Sequence, residues 1–372
     1  MLASFKAWFF LGTNYIGYIA LVSSVTIYFV KPQLFPQNKQ STFFVLLALS
    51  LFTGQLKYGF VDAFLSALSV LPLFFIMNLR PEYQDDFLTT FRRFFSSILL
   101  LSLICWLLYY IGITTPYSIL EYGDGGNGGV QYSYENHYFF LINISRLEFM
   151  FIPRFSAFFL EPGYLGCLLA MLLYIGKYKI DIPNVIFMAS LIATFSLAGY
   201  ILLLVGYFTY SLNRVAKRSI IVFVLIFSII CLCLYHFSRS YNNGNNLVND
   251  MIIARVEYNE GLGRSGADTK QWFWNTYMRS DAIWFGGDEK YLDPNDVDWT
   301  AYVVQKGIIS LILFVSFIVY PCLKGRKKSL CIPLSIIYLL ILAQTIHLIQ
   351  SYMYLIIFVL GINRVKKEVE ML

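Results

Sequence analysis

The sequence predicts an all-α, polytopic membrane protein of about eleven helical spans, ten at the fewest and twelve at the most. Three observations predict it. Of the 372 residues, 58% are hydrophobic and only 13% are charged, where soluble domains average about 25% charged. The mean hydropathy is +0.62. The apolar residues fall in long runs, and the basic residues gather between those runs.

The first run, near 7–30, is too long for a signal-peptide core and has no small-residue cleavage site after it, so it is expected to remain as a span. Further runs lie near 42–55, 60–79, 94–115, 162–177, 182–197, 199–212, 219–236, 299–321, 330–346 and 348–363. Several sit near the short limit for a hydrocarbon core about 30 Å thick. Neither end is expected to carry a soluble catalytic domain, so any chemistry belongs to the spans and their loops.

Four basic clusters orient the runs: Lys177 and Lys179; Arg214, Lys217 and Arg218; Lys324, Arg326, Lys327 and Lys328; and Arg364, Lys366 and Lys367. Cytoplasmic loops carry the excess of Lys and Arg, and an even number of runs separates each successive pair of clusters. The C-terminus is therefore expected in the cytoplasm. Arg92 and Arg93 fall on the same side, while the N-terminus lies outside despite Lys6; a re-entrant first segment would reverse that end alone. The resulting organisation is N-terminal spans over 1–115, a first external loop over 116–160, central spans over 161–236, a large external loop over 237–298, and C-terminal spans with a cytoplasmic tail over 299–372.

The first loop carries the run Gly123-Asp-Gly-Gly-Asn-Gly-Gly129, which lacks the Gly-Lys-Ser/Thr ending of a phosphate loop and reads as a hinge. The large loop holds Arg239, Arg255, Arg264 and Arg279 with two lysines against ten acidic residues. Its aromatic stretches, Trp272-Phe-Trp274 and Ile283-Trp-Phe285, predict short helices at the membrane interface or over a cavity. The net charge of +6 resides in loops and speaks of orientation, not of nucleic-acid binding. The six cysteines lie in or beside apolar runs and read as small packing residues.

Charge concentrates most tellingly in Arg154-Phe-Ser-Ala-Phe-Phe-Leu-Glu161-Pro162-Gly163-Tyr164-Leu-Gly166, directly against the start of an apolar run. Pro162 suits the first turn of a helix and biases Glu161 toward extended geometry. A helix is expected to start there with Glu161 at its mouth, either as a general base or as a cap. Arg154, Arg255, Arg264 and Arg279 all come out external, and arginine matches phosphate with forked contacts; the alternative is that they pair with loop acids. His137, His236 and His347 also come out external or at external span ends. His347 lies in the polar patch Gln344-Thr-Ile-His-Leu-Ile-Gln350-Ser-Tyr352, and polar groups at such depth face the protein interior. Asp293-Pro-Asn-Asp296-Val-Asp298 is an acid-x-acid element on the side away from nucleotide sugars, weak evidence for metal.

The stretch Arg154–Gly166 resembles the O-antigen polymerase (Wzy) group, which is related to O-antigen ligases. Thr194-Phe-Ser-Leu-Ala-Gly199 between two short spans, the Arg-bearing loop, Tyr302-Val-Val-Gln-Lys-Gly307-Ile-Ile after it, and the spacing of eleven residues from Arg255 to Gly266 are similar in order and layout. Ligases commonly carry a histidine where this chain has Asp298-Trp299-Thr300, which favours polymerase and leaves Glu161, Asp298 or His347 as base.

The resemblance implies a C-type glycosyltransferase fold in a bacterial inner membrane and a metal-independent reaction without cofactor. A growing glycan would leave undecaprenyl pyrophosphate and join a second lipid-linked unit on the periplasmic face. Glu161, Arg255 and His347 would be catalytic, with Arg154, Arg264, Arg279 and Tyr164 against pyrophosphate or sugar. The implied partners are the lipid-linked oligosaccharide donor and acceptor, membrane lipids and a chain-length regulator. Transfer to lipid A-core by a ligase, and movement of the intact glycolipid by a flippase, stand as alternatives.

Overall fold

In the computed structural model the chain is mostly helical. The residues described are 22–23, 25–35, 41–113, 115–122, 132–144, 153–212, 232–233, 235–244, 246, 267–287, 299–324, 328–344 and 352–370. They divide into two compact units, Met1–Phe91 with Gly263–Leu372, and Arg92–Leu262. Among the described residues three stretches are long and apolar enough to cross a membrane: Phe60–Met77, Pro81–Tyr110 and Trp299–Leu323. Shorter apolar helices of 10–17 residues accompany them. The runs expected near 162–177, 182–197 and 199–212 form helices of 14, 12 and 16 residues, each short of the roughly 20 residues a crossing needs. The runs near 7–30 and 219–236, and the glycine run 123–129, lie largely or wholly outside the described residues.

The first unit contains α1 (Ser41–Gln55), α2 (Phe60–Leu68), α3 (Leu71–Met77) and the start of α4 (Pro81–Tyr110). Pro81 opens α4 at a position where its missing N–H is harmless, and the Gln84 amide donates to the Met77 and Leu79 carbonyls at the end of α3 (2.6 and 2.9 Å). Helix α4 begins well before the expected 94, because its first turns are polar: Glu82, Asp85, Asp86, Arg92 and Arg93 are helical residues that hydropathy alone assigns to a loop.

Helix α1 packs along a 26-residue helix from Trp299 to Lys324. Small polar residues let the two backbones approach. Ser50 Oγ donates to the Ser310 carbonyl (2.8 Å) and Ser310 Oγ to the Ser50 carbonyl (2.7 Å), with the Tyr302 hydroxyl 2.9 Å from Ser310 Oγ. Such reciprocal bonds are how helices associate where no hydrophobic difference drives them. Phe314, Phe317, Tyr338 and Phe358 then close a fully buried aromatic core between this helix and those over Lys328–Gln344 and Tyr352–Glu370.

The second unit departs from the all-α expectation. Within the loop expected over 116–160, β1 (Ser118–Tyr122), β2 (Tyr132–Asn136) and β3 (Leu141–Asn143) form an antiparallel sheet in that order. Glu135 pairs with Ile119 on one side and Ile142 on the other. Ser102, Trp106 and Tyr109 lie on one face of α4 by helical spacing, and they tie the sheet region to it. Ser102 Oγ donates to the Phe139 carbonyl (2.7 Å), Trp106 Nε1 to the Pro153 carbonyl (3.1 Å), and the Tyr109 hydroxyl to Glu135 Oε2 (3.3 Å).

Helices α5 (Pro162–Ile175), α6 (Ile182–Ala193) and α7 (Leu197–Leu212) complete the unit. Asp181 caps α6 by accepting from the Asn184 N–H (2.8 Å), and Arg92 reaches both residues, 2.7 Å from Asn184 Oδ1 and 3.4 Å from Asp181 Oδ2. Helix α5 is buried on every side from Leu165 to Ile175, the pattern of a helix packed wholly within protein or membrane. It crosses α7 where Gly166 meets Gly199.

A Cβ at Gly199 would lie 2.8 Å from Leu191 Cδ1 and 3.0 Å from the Gly166 Cα. Backbone cannot yield as a side-chain tip can, so Gly199→Ala is expected to cost about 1–3 kcal/mol by overpacking. The unfolding midpoint of the detergent-solubilised protein measures it; an unchanged midpoint would mean that α5 and α7 do not cross at these glycines.

Candidate functional site

Residues 153–160 form a strap, irregular over 153–156 and turning at Ala157–Phe158, held by three separate elements. The Pro153 carbonyl takes the Trp106 indole from α4. The Phe155 N–H donates to the Ala193 carbonyl at the end of α6 (3.0 Å). On the sheet side the Leu141 N–H donates to the Ala157 carbonyl (2.7 Å), and Ser156 Oγ donates to the Leu141 carbonyl (3.1 Å). Phe155 and Ala157 are fully buried, so the bonds of their backbone groups are made out of water, where an unmade one is costly.

Arg154 supplies the charge of this arrangement. Its Nε donates to the Thr194 carbonyl (2.9 Å) and its Nη2 to the Phe195 carbonyl (3.0 Å). The last carbonyls of a helix carry partial negative charge and lack intrahelical donors, so a guanidinium is an effective cap. Neither phosphate nor a loop acid is needed to explain these two contacts. Two non-glycine residues here adopt left-handed backbone, Ala157 (φ 47°) and Phe195 (φ 46°). Each such residue costs of order 1–3 kcal/mol and is retained only where its surroundings fix it.

Glu161 stands at the mouth of α5 in extended geometry (φ −130°, ψ 138°), with Pro162 in the first turn, as the Glu-Pro order requires. Its side chain makes no capping hydrogen bond; its backbone carbonyl accepts from the Tyr164 N–H (3.1 Å). One helical turn further, Gly166 abuts Ser196 and Gly199. Ser196 in turn caps α7, its Oγ accepting from the Gly199 N–H (3.2 Å). The stretches Arg154–Gly166 and Thr194–Gly199 therefore fold against one another, through Arg154 at one end and paired glycines at the other.

Of the residues singled out from the sequence, Arg154, Glu161 and Tyr164 lie in the second unit, Arg154 on the end of α6 and the other two at the start of α5. Arg279 is an exposed residue ending the short turn Tyr277–Arg279 of the first unit. Arg255, Arg264, His347, Gly266 and the Asp293–Asp298 element lie outside the described residues. His236 is described and exposed.

The sequence reading did not single out the cluster around His137. The imidazole is fully buried, with Nδ1 2.9 Å from Thr115 Oγ1 and Nε2 3.2 Å from Glu135 Oε2. It stacks on Phe140 (4.5 Å between centroids, 3° between planes), with Tyr109 and Tyr117 rings 5.1 and 5.2 Å away. The available signal was the alternation in Tyr132-Ser-Tyr-Glu-Asn-His137 together with the spacing of Ser102, Trp106 and Tyr109. The adjoining glycines drew it toward a loop instead.

Compared with protein-family models, curated proteins and solved structures, the chain matches none.

Removing the Arg154 guanidinium leaves the Thr194 and Phe195 carbonyls without these donors. Arg154→Met is expected to destabilise by about 1–3 kcal/mol for the buried Thr194 carbonyl alone. Arg154→Lys should recover only part of this, because an ammonium cannot make the forked contact. Detergent unfolding midpoints of the two variants provide the check; equal midpoints for wild type and Arg154→Met would exclude the capping role.

Proposed function

We propose that this chain is a polytopic glycosyltransferase that joins lipid-pyrophosphate-linked oligosaccharide units, after the pattern of an O-antigen polymerase, at the external face of a bacterial inner membrane. The observation that carries the reading is the union of its two resembling stretches. Arg154–Gly166 and Thr194–Gly199 are separate in sequence, yet hydrogen bonds and a glycine crossing join them, with left-handed residues in each. Helices that only span or pack do not need left-handed residues in the two stretches that join them.

In this reading a second lipid-linked unit attacks the anomeric carbon of the donor glycan, and the carbon–oxygen bond to the pyrophosphate breaks. The developing charge on the leaving pyrophosphate is stabilised by Arg255 of the large external loop, in the way that fixed donors stabilise an oxyanion. Arg154 is a positioning residue, holding the strap on the end of α6. Glu161 and Tyr164 face the glycan at the mouth of α5, where Glu161 orients a sugar hydroxyl. His347 belongs to the polar lining.

The test is turnover in proteoliposomes, with lipid-linked oligosaccharide extracted from the membranes of cells lacking this chain and a chelator present throughout. The expected product is a ladder of multiples of the unit, reduced by about a hundredfold or more in Arg255→Ala. Consumption of donor only when lipid A-core is added would make the chain a ligase. Movement of intact glycolipid between leaflets with no new bond would make it a flippase.

A further inference from the structure

A glycosyl transfer to a hydroxyl needs a group that takes the hydroxyl proton, and such a group must be held in place with an acceptor atom turned outward. The cluster on β2 provides this. Glu135 receives the Tyr109 hydroxyl (3.3 Å) and faces His137 Nε2 (3.2 Å), and both contacts fall on Oε2. Among the described residues Oε1 accepts no hydrogen bond, and the Glu135 side chain keeps 17% of its surface exposed while that of His137 has none. His137 cannot turn, since Thr115 engages its other nitrogen and Phe140 covers its face. The carboxylate is thus anchored through one oxygen and presented through the other.

Its position follows from the strand register. Glu135 pairs with Ile142 of β3, and the neighbouring Leu141 donates to Ala157 of the strap. Two such steps at strand spacing place the Glu135 backbone about 10 Å from the strap. Among the described residues, Tyr109 from α4 and His137 just after β2 contact it, Tyr117 lies against the His137 ring, and Glu121 lies on the same face of the neighbouring strand β1.

We infer that Glu135 is the proton acceptor for a carbohydrate hydroxyl at this site, with His137 as its positioning residue. This rests on the glycosyltransferase reading above. The acceptor oxygen forms its bond to the anomeric carbon as its proton passes to Glu135 Oε1. The bond from that carbon to the pyrophosphate oxygen breaks, and the lipid pyrophosphate leaves with the electron pair. Glu135 then returns the proton to water.

Glu135→Gln keeps the shape and can still accept from Tyr109, but it cannot take the proton. In the proteoliposome assay it is expected to lower kcat by about a hundredfold or more, with the KM for the lipid-linked unit unchanged. His137→Gln is expected to lower kcat by a smaller factor, again without moving KM. Ser102→Ala removes a comparable bond between α4 and the sheet region away from the cluster, and is expected to turn over as wild type does. Glu135→Gln within threefold of wild type would overturn the inference while leaving the polymerase reading intact. Equal loss in Ser102→Ala would overturn it too, since docking of the sheet would then be the cause. A wild-type protein that makes no ladder would overturn both.

Discussion

The second unit depends on how the buried end of α6 is satisfied. Helix α6 ends at Ala193 and α7 begins at Leu197, so only three residues connect them. In so short a connection the last carbonyls cannot all find backbone donors of their own. Phe195 is driven into left-handed geometry, and the Ala193, Thr194 and Phe195 carbonyls take their donors from Phe155 N–H and Arg154. An arginine serves here because one planar group reaches two oxygens at once. Everything downstream inherits that placement: the strap is fixed on α6, the sheet is fixed on the strap at Leu141, and α5 starts where Pro162 allows.

What the sequence made legible follows from the range over which each signal acts. The start of α5 was readable because proline restricts its own φ and its neighbour's geometry, a constraint complete within Glu161-Pro162. The meeting of Gly166 with Gly199 was not, since close approach of two helices depends on residues 33 apart in the chain. The first turns of α4 were missed for a different reason. Arg92 is buried at 7% exposure, yet hydropathy treats it as loop because the carboxylate that pairs with it, Asp181, and the amide oxygen that accepts from it, Asn184 Oδ1, lie beyond a further helix. That contact brings two segments together, the one with Arg92 and Arg93 and the one with Lys177 and Lys179, that the charge pattern had placed on a single side. Arg154 was legible as an unusual charge, whereas its capping role required the end of α6.

The first unit solves a comparable backbone problem without charge. Its long helix from Trp299 is broken at Gly307 (φ 82°, ψ 160°). Residues 284–287 fill the break. The Trp284 carbonyl accepts from the Ile309 N–H (3.4 Å), and the Gly287 N–H donates to the Val304 carbonyl (3.0 Å). A side chain at Gly307 would collide with the Trp284 carbonyl and the Phe285 backbone. Irregular backbone at membrane depth is tolerated only where protein or a lined cavity satisfies it, and here one short turn provides both partners.

The strap and the His137 cluster stand in a physical relation that favours chemistry at this end of the second unit. A carboxylate beside buried aromatic rings is costly unless hydrogen bonds hold it, and Glu135 has them from α4 and His137. A strap carrying strained residues unfolds locally unless each polar atom is engaged, and its carbonyls and N–H groups are engaged from three elements. Both therefore require the sheet region to stay docked, and Trp106 and Tyr109 hold it from one face of α4. Rigidity of this kind is what positions a reacting group to within a fraction of an ångström. A loop that merely joined two spans would need none of it, and that contrast is what the proposed site rests on.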